Sequence, residues 1–249
     1  MTRVTYVGHA TVLIAMDGVR LLTDPLLRNR VTHLRRRAGL DLALVRDPDA
    51  VLVSHAHYDH LDLGSLERLG RSTSIVVPRG LGGILRQRGY RRVTEVEEGD
   101  RFAEGALTLE ATRADHRASR RPLSPHTPSL GYLVTGSHRV YFAGDTALFD
   151  DMATLSPGLD VALVPIWGWG PGLGRGEHMD PDQAARAVAL LQPRIAVPIH
   201  WGTYHPLHIG LRRPPGYLQE PPEAFRRAAA EHAPGVEIRV LQPGESLEL

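Results

Sequence analysis

Six consecutive positions of this 249-residue chain hold three histidines and an aspartate: His55, His57, Asp59 and His60, within Ser54-His55-Ala56-His57-Tyr58-Asp59-His60-Leu61. Neutral imidazole and carboxylate are the donors that suit zinc and its borderline neighbours. Four titratable groups at this density would repel or desolvate one another unless a cation held them. The spacing therefore reads as a metal site and not as packing. The cluster follows Ala50-Val51-Leu52-Val53, a short apolar run of the kind that forms a buried strand. It thus occupies a loop at the carboxyl end of a strand, where open α/β sheets present their ligands.

Three further residues share that setting. His116 comes after the strand-like run Leu107–Thr112, Asp145 after Arg139–Ala143, and His200 after Arg194–Ile199. Strand ends along one sheet edge lie close in space whatever their separation in sequence. Seven candidates then converge: His55, His57, Asp59, His60, His116, Asp145 and His200. They are too many for one tetrahedral ion and suit two ions that share a carboxylate. Two divalent cations, two carboxylates and a bridging hydroxide sum to about +1. Such a centre favours a small anionic or ester substrate that develops negative charge, such as an ester, a lactone or a phosphodiester.

The elements that must position these groups are legible in outline. Arg3–Val7, Thr11–Met16 and Val19–Thr23 read as strands, the last two joined at Asp17-Gly18, a strong hairpin signal. Helical spacing of leucines after Asp62 runs to Gly70, and a second short helix is expected over Leu81–Arg88. Ser74–Val77, Val93–Val96, Arg101–Ala103, Ser129–Thr135 and Asp160–Ile166 complete the internal strands. Asp180-Pro181 opens a helix to Leu191 that leads into Arg194–Ile199 as a βαβ crossover. Pro222–His232 reads as a last helix and Val236–Leu241 as a last strand. Strands in two groups, with helices between and after them, predict two mixed sheets packed face to face with helices outside, as one domain over residues 1–249.

Composition narrows the function. Apolar content of 42% and charge of 23% are ordinary for a globular protein, and a formal net charge of +1 provides no global field for nucleic acid or an anionic membrane. There is no cysteine, which excludes disulfides, a thiolate metal site and a cysteine nucleophile. No apolar run reaches the length of a membrane span, and the amino terminus lacks a signal-peptide layout, so a cytoplasmic enzyme is the expectation. Arg28–Arg37 is the most basic segment. It is expected as a solvated loop, the alternative being a flap that offers guanidinium groups to an anionic substrate.

His-x-His-x-Asp-His, a lone histidine, Gly144-Asp145-Thr146 and Pro198-Ile199-His200 resemble, in that order, the motifs of the metallo-β-lactamase superfamily. The resemblance covers nearly the whole chain. Gly8-His9-Ala10-Thr11, Leu22-Thr23-Asp24-Pro25, His178-Met179-Asp180-Pro181 and the stretch from Pro198 to Thr203 look closer still to one branch. That branch holds N-acyl-phosphatidylethanolamine phospholipase D-like and ascorbate-6-phosphate lactonase-like proteins. The resemblance implies a four-layer αββα sandwich. It implies one metal on His55, His57 and His116, a second on Asp59, His60 and His200, and Asp145 bridging them. Zinc is the expected ion, with manganese or iron as alternatives.

The expected activity is attack of a metal-bridged hydroxide on an ester bond, first a phosphodiester or phospholipid-like substrate. The alternatives are a lactonase or carboxyl-ester hydrolase, and a metal-bound binding or sensor protein without chemistry. Antibiotic hydrolysis is not expected, because true metallo-β-lactamases lack the bridging aspartate. Asp59 is a candidate acceptor for the water's proton, and His178 a candidate general acid. Asp24 is expected to hold a ligand histidine or to cap its turn with Pro25. His9 is expected to line the pocket, to support a ligand, or to be structural. Tyr58, Trp167, Trp169, Trp201 and Tyr204 are candidates for an aromatic wall. The remaining histidines, His33, His126, His138, His205, His208 and His232, are expected mostly on surfaces and loops.

Overall fold

A computed structural model describes residues 1–119, 126–155, 157–167, 176–207 and 216–249. Strands β1 (Arg3–Gly8), β2 (Thr11–Met16) and β3 (Val19–Thr23) form an antiparallel meander. Asp17 and Gly18 turn its second hairpin, both at positive φ, as the favoured two-residue turn requires. A small hairpin of β4 (Arg30–Val31) and β5 (Leu34–Arg36) follows. Then β6 (Ala50–Leu52), β7 (Ser74–Pro78) and β8 (Val93–Val96) extend the first sheet in parallel, with α1 (Leu63–Leu69) and α2 (Gly82–Arg86) as the crossovers.

The second sheet opens with the antiparallel strands β9 (Arg101–Glu104), β10 (Leu107–Arg113), β11 (Leu130–Thr135) and β12 (Arg139–Phe142). It continues in parallel through β13 (Val161–Pro165), α3 (Pro181–Leu191) and β14 (Ile195–Ile199). Strand β15 (Tyr204–Pro206) pairs with β5. After α4 (Pro221–His232), β16 (Glu237–Ile238) joins β14 and β17 (Ser246–Glu248) returns to β1. The orders are β17-β1-β2-β3-β6-β7-β8, β16-β14-β13-β12-β11-β10-β9, and β15-β5-β4 for the small sheet.

Burial sorts these elements into four layers. Val4, Tyr6, Val12 and Ile14 of the first sheet pack against Leu109, Tyr132, Phe142 and Val197 of the second. The outer face of the first sheet is covered by Leu66 of α1 and Leu85 of α2. Ala184 and Val188 of α3, with Phe225 and Ala229 of α4, cover the second. The chain therefore folds as an αββα sandwich, as expected. Helix α3 begins where Asp180 and Gln183 form a capping box and Pro181 stands in the first turn, which satisfies otherwise orphaned amide groups.

The basic segment departs in part from the expected solvated loop, although Arg30, Arg35 and Arg37 are exposed. Much of it is paired backbone, in β4 and β5, and Arg36 is buried. Its guanidinium donates to the carbonyls of Val7, Leu26 and Ala38 and to the Tyr204 hydroxyl. Arg28 instead holds Asp62, with contacts of 2.6 and 2.8 Å. Lone strands of two or three residues leave no periodicity in a sequence, so the small sheet was not foreseen. The same holds for β17. The expected last strand, Val236–Leu241, shrinks to Glu237–Ile238.

Candidate metal centre

Strands β1, β3 and β6 run parallel, and so do β10, β12 and β14, so their carboxyl ends share one edge of the sandwich. His9, Asp24 and the His55–His60 loop leave the first sheet there. His116, Asp145 and His200 leave the second. His9, Asp24 and His200 have left-handed backbones, with φ of 59°, 32° and 61°. Non-glycine residues are held there only when surrounding contacts over-determine them, and such strain clusters at functional sites. Gly144 has a second reason for its identity. A Cβ there would lie 2.8 Å from Ser54 Cβ and 2.9 Å from the Leu130 carbonyl, so only glycine lets the turn to Asp145 close against the first sheet.

All seven expected ligands meet. His57 Nδ1 lies 3.0 Å from His55 Nε2 and 3.2 Å from His116 Nε2, one compact nitrogen cluster. Asp59, His60 and His200 form a second, to which His9 also belongs. Asp145 stands between them: its Oδ2 is 3.1 Å from His60 Nε2, 3.3 Å from His200 Nε2 and 4.0 Å from His55 Nε2.

The outward ring nitrogens are held one by one. His60 Nδ1 donates to Asp24 Oδ2 at 2.7 Å, and Asp24 also accepts from the Ser54 amide and hydroxyl. The Ser54 hydroxyl in turn accepts from His55 Nδ1 at 2.9 Å. His116 Nδ1 donates to the Glu177 carbonyl and His200 Nδ1 to the Trp167 carbonyl, each at 2.9 Å. A proton fixed on Nδ1 leaves the Nε2 lone pair aimed at the centre, the arrangement by which outer groups orient metal ligands.

Before any cation binds, burial keeps most of these rings neutral. It lowers His55 well below the ordinary value and takes His57 and His200 to about 4. Burial opposes charge on His60 too, yet Asp145, Asp24 and Asp59 outweigh it and raise its pKa well above the usual range. Burial likewise resists ionisation of Asp59 and Asp145. The surrounding imidazoles prevail and hold both carboxyls well below their ordinary value.

The donor set fits a metal. Neutral imidazoles and ionised carboxylates are the states that bind one. Asp145 Oδ1 and His178 Nδ1 are buried with no hydrogen-bond partner among the described residues. A cavity of about 350 Å³ opens above the centre, lined by His57, Tyr58, Asp59, Asp145 and His178, with His33, Leu34 and Pro206 from the small sheet and its hairpin turn. A larger cleft of about 540 Å³ holds none of the seven residues.

The remaining expectations divide. Asp24 supports His60, as one of its two expected roles has it. His178 lies at the cavity with Nδ1 3.4 Å from Asp145 Oδ2, and burial takes its pKa to about 4. Of the described members of the aromatic wall only Tyr58, which is half exposed, lines the cavity. Trp167 contributes its carbonyl while its ring packs in the outer core. Trp201 and Tyr204 line the larger cleft instead, because the indole N–H donates to Pro198 and the phenol to Leu26 and Arg28 carbonyls. Trp169 and His208 lie outside the described residues. His205 is buried on β15, not on the surface. Two supports were missed, the carbonyls of Glu177 and Trp167, which no residue type signals. The Ser54 hydroxyl, beside His55 in sequence, could have been found.

Known proteins resemble this chain over most of its length. Residues 19–201 match the beta-lactamase superfamily domain. A UPF0173 metal-dependent hydrolase of Methanopyrus kandleri is 32% identical over 99% of both chains. N-acyl-phosphatidylethanolamine-hydrolyzing phospholipase D 1 of Caenorhabditis elegans is 32% identical over 80% of this chain and 64% of its own length. The structure of Igni18, a metallo hydrolase of Ignicoccus hospitalis, superposes with a TM-score of 0.73 at 25% identity, covering 100% of this chain and 99% of that one. With the sandwich and the imidazole–carboxylate centre in place, the chain belongs to the metal-dependent hydrolases of the beta-lactamase superfamily.

Proposed function

We propose that the centre holds two divalent cations and hydrolyses an ester bond, with a phosphodiester of phospholipid type as the favoured substrate class. The observation that carries this reading is the position of Asp145 Oδ2 between the two clusters, 3.1 Å from His60 and 4.0 Å from His55. His55, His57 and His116 would hold one ion, Asp59, His60 and His200 the other, and Asp145 both. Zinc suits the donors, and manganese or iron would be accepted by the same set. When bound, the ions supply Lewis-acid charge and bring the pKa of a water molecule towards neutrality.

The chain's own groups do the rest. Asp59, an ionised carboxylate at the cavity, accepts the proton of the attacking water. His178, neutral at pH 7, presents an N–H to the leaving-group oxygen. Asp24 and the Trp167 carbonyl keep His60 and His200 aimed inward. Tyr58, Leu34 and Pro206 exclude water on the substrate's far side. The phospholipase D relative supports the phosphodiester. The cavity of about 350 Å³ favours a second reading, a lactone or other small carboxyl ester, because it lies at the small end of ligand pockets.

The test is metal-stripped protein reloaded with zinc, manganese or iron and assayed on bis(p-nitrophenyl) phosphate and a panel of lactones, beside Asp145→Ala. Metal-dependent turnover of the phosphodiester, lost with metal content in the variant, is expected. Lactone turnover alone would select the second reading. Turnover of neither, or full activity of Asp145→Ala, would overturn catalysis at this centre.

A further inference from the structure

The Gly8-His9-Ala10 turn is built with more care than a connection between two strands needs. His9 is buried, and its φ of 59° lies in the left-handed region that L residues rarely adopt. Three contacts hold it there. Its amide donates to Thr203 Oγ1 at 2.9 Å, and its carbonyl accepts from the His200 amide at 2.8 Å. Its ring lies 4.0 Å from the His200 ring, centroid to centroid. The preceding glycine makes room. A Cβ on Gly8 would meet Thr203 Cγ2 at 2.7 Å and Arg36 Nη2 at 2.9 Å. The result brings His9 Nε2 to 3.1 Å from Asp59 Oδ2.

We infer that His9 is the positioning residue of the second half of the centre: its Nε2–H donates to Asp59 Oδ2 and fixes that carboxylate for the cation and the attacking water. The inference rests on the two-ion reading above. Asp59, His60, His200 and the shared Asp145 already supply four ligands, so a zinc ion that expands to five-coordinate has one position left. A fifth protein ligand would take the place the substrate or water needs. His9 is better suited as a donor, and its polarity is opposite to that of its neighbours. His55, His60, His116 and His200 turn Nδ1 outward to an oxygen and Nε2 inward, whereas His9 aims its Nε2 at a carboxylate of the centre. Asp59 sits in a loop and is partly exposed, and among the described residues His9 is the hydrogen-bond partner of its carboxylate.

The experiment compares parent, His9→Ala and His9→Gln after metal stripping, by zinc titration against a chromophoric chelator. Glutamine places an amide N–H near the position of Nε2. In His9→Ala the Asp59–His60–His200 site is expected to lose about 10- to 100-fold in affinity, while the His55–His57–His116 site stays within about twofold. His9→Gln is expected to recover most of that loss. Parent affinity at both sites in His9→Ala, an equal fall at both, or no recovery in His9→Gln would overturn the inference, the last because it marks His9 as a ligand. The ring tautomer decides independently. Long-range ¹H–¹⁵N spectra of the metal-free parent are expected to show His9 protonated on Nε2, and protonation on Nδ1 alone would overturn the inference. That measurement stands if His9→Ala does not fold. It also stands if the parent binds a single ion, an outcome that would defeat the two-ion reading and not the role of His9.

Discussion

Asp24 illustrates how much of the centre depends on residues that would touch no metal. It is fully buried and left-handed, and it accepts three hydrogen bonds, from the Ser54 amide, the Ser54 hydroxyl and His60 Nδ1. Its partner His60 is also buried, so the pair faces no competition from solvent. Asparagine tolerates the left-handed region and keeps one acceptor, but it removes the charge that holds the His60 proton outward. Asp24→Asn is therefore expected to fold and to lose metal affinity by about 10- to 100-fold, measured by chelator competition. Parent affinity would reduce Asp24 to a cap on the Pro25 turn.

At the scale of elements, the small sheet is what joins the strand ends to the cavity. Strand β5 carries Arg36 under the turn of His9, and β15 carries Tyr204 against it, with the Arg36 guanidinium 5.5 Å from the Tyr204 ring. No acidic side chain pairs with Arg36 among the described residues. Its charge is spread over three carbonyls and a phenol, from β1, from the stretch after β3, from the residue next but one to it, and from β15. Arg36→Ala would take this donor from the Val7 and Ala38 carbonyls, while the Leu26 carbonyl keeps the Tyr204 hydroxyl, and a loss of about 2–4 kcal/mol in unfolding free energy is expected, at about 1–3 kcal/mol for each group left unsatisfied. Lysine cannot reproduce the planar fork, so Arg36→Lys is expected to recover less than half of that loss. Urea denaturation measures both. A loss under about 0.5 kcal/mol in Arg36→Ala would show that water replaces the guanidinium.

At the scale of the molecule, each half of the centre takes residues from both sheets. His55 and His57 follow β6 while His116 follows β10, and Asp59 and His60 follow β6 while His200 follows β14. Hydrogen bonds cross the same seam, from the Leu130 amide to the Ser54 carbonyl and from the Tyr132 hydroxyl to the Val53 carbonyl. A bound cation would thus staple the layers, and without one the buried imidazoles make the fold sensitive to acid. His57, His178 and His200 have folded pKa values of about 4, against 6.5 for the exposed group. Between those limits the unfolded chain binds protons that the folded chain refuses, so stability falls as pH falls from 6.5 towards 4. His60 moves the other way, but below 6.5 it is protonated in both states and no longer contributes to the slope. Asp59 and Asp145, depressed in the fold, lose their contribution only below their ordinary 3.8. Metal-free protein is expected to melt more than about 5 °C lower at pH 5 than at pH 7, at about 2–4 °C per kcal/mol. Calorimetry reads the shift, and a flat melting temperature over that range would show that these imidazoles are hydrated in the folded chain.

The sequence alone determined most strands of the two large sheets, the helices and the chemical type of the centre. Those follow from local causes: continuous apolar runs, capping aspartates before proline, and imidazoles spaced too closely for anything but a cation. It determined as well that His116, Asp145 and His200 sit at strand ends. Only the tertiary structure decided the parts that depend on distance between remote segments. It made Arg36 a buried clamp because three carbonyls and a phenol from four places converge on it, and it turned Trp201 and Tyr204 away from the cavity because their polar atoms find backbone partners elsewhere. It raised His9 from a lone histidine to a neighbour of Asp59. Backbone carbonyls such as those of Glu177 and Trp167 have no residue signature, and a contact across two sheets exists only once their twist and register bring the edges together.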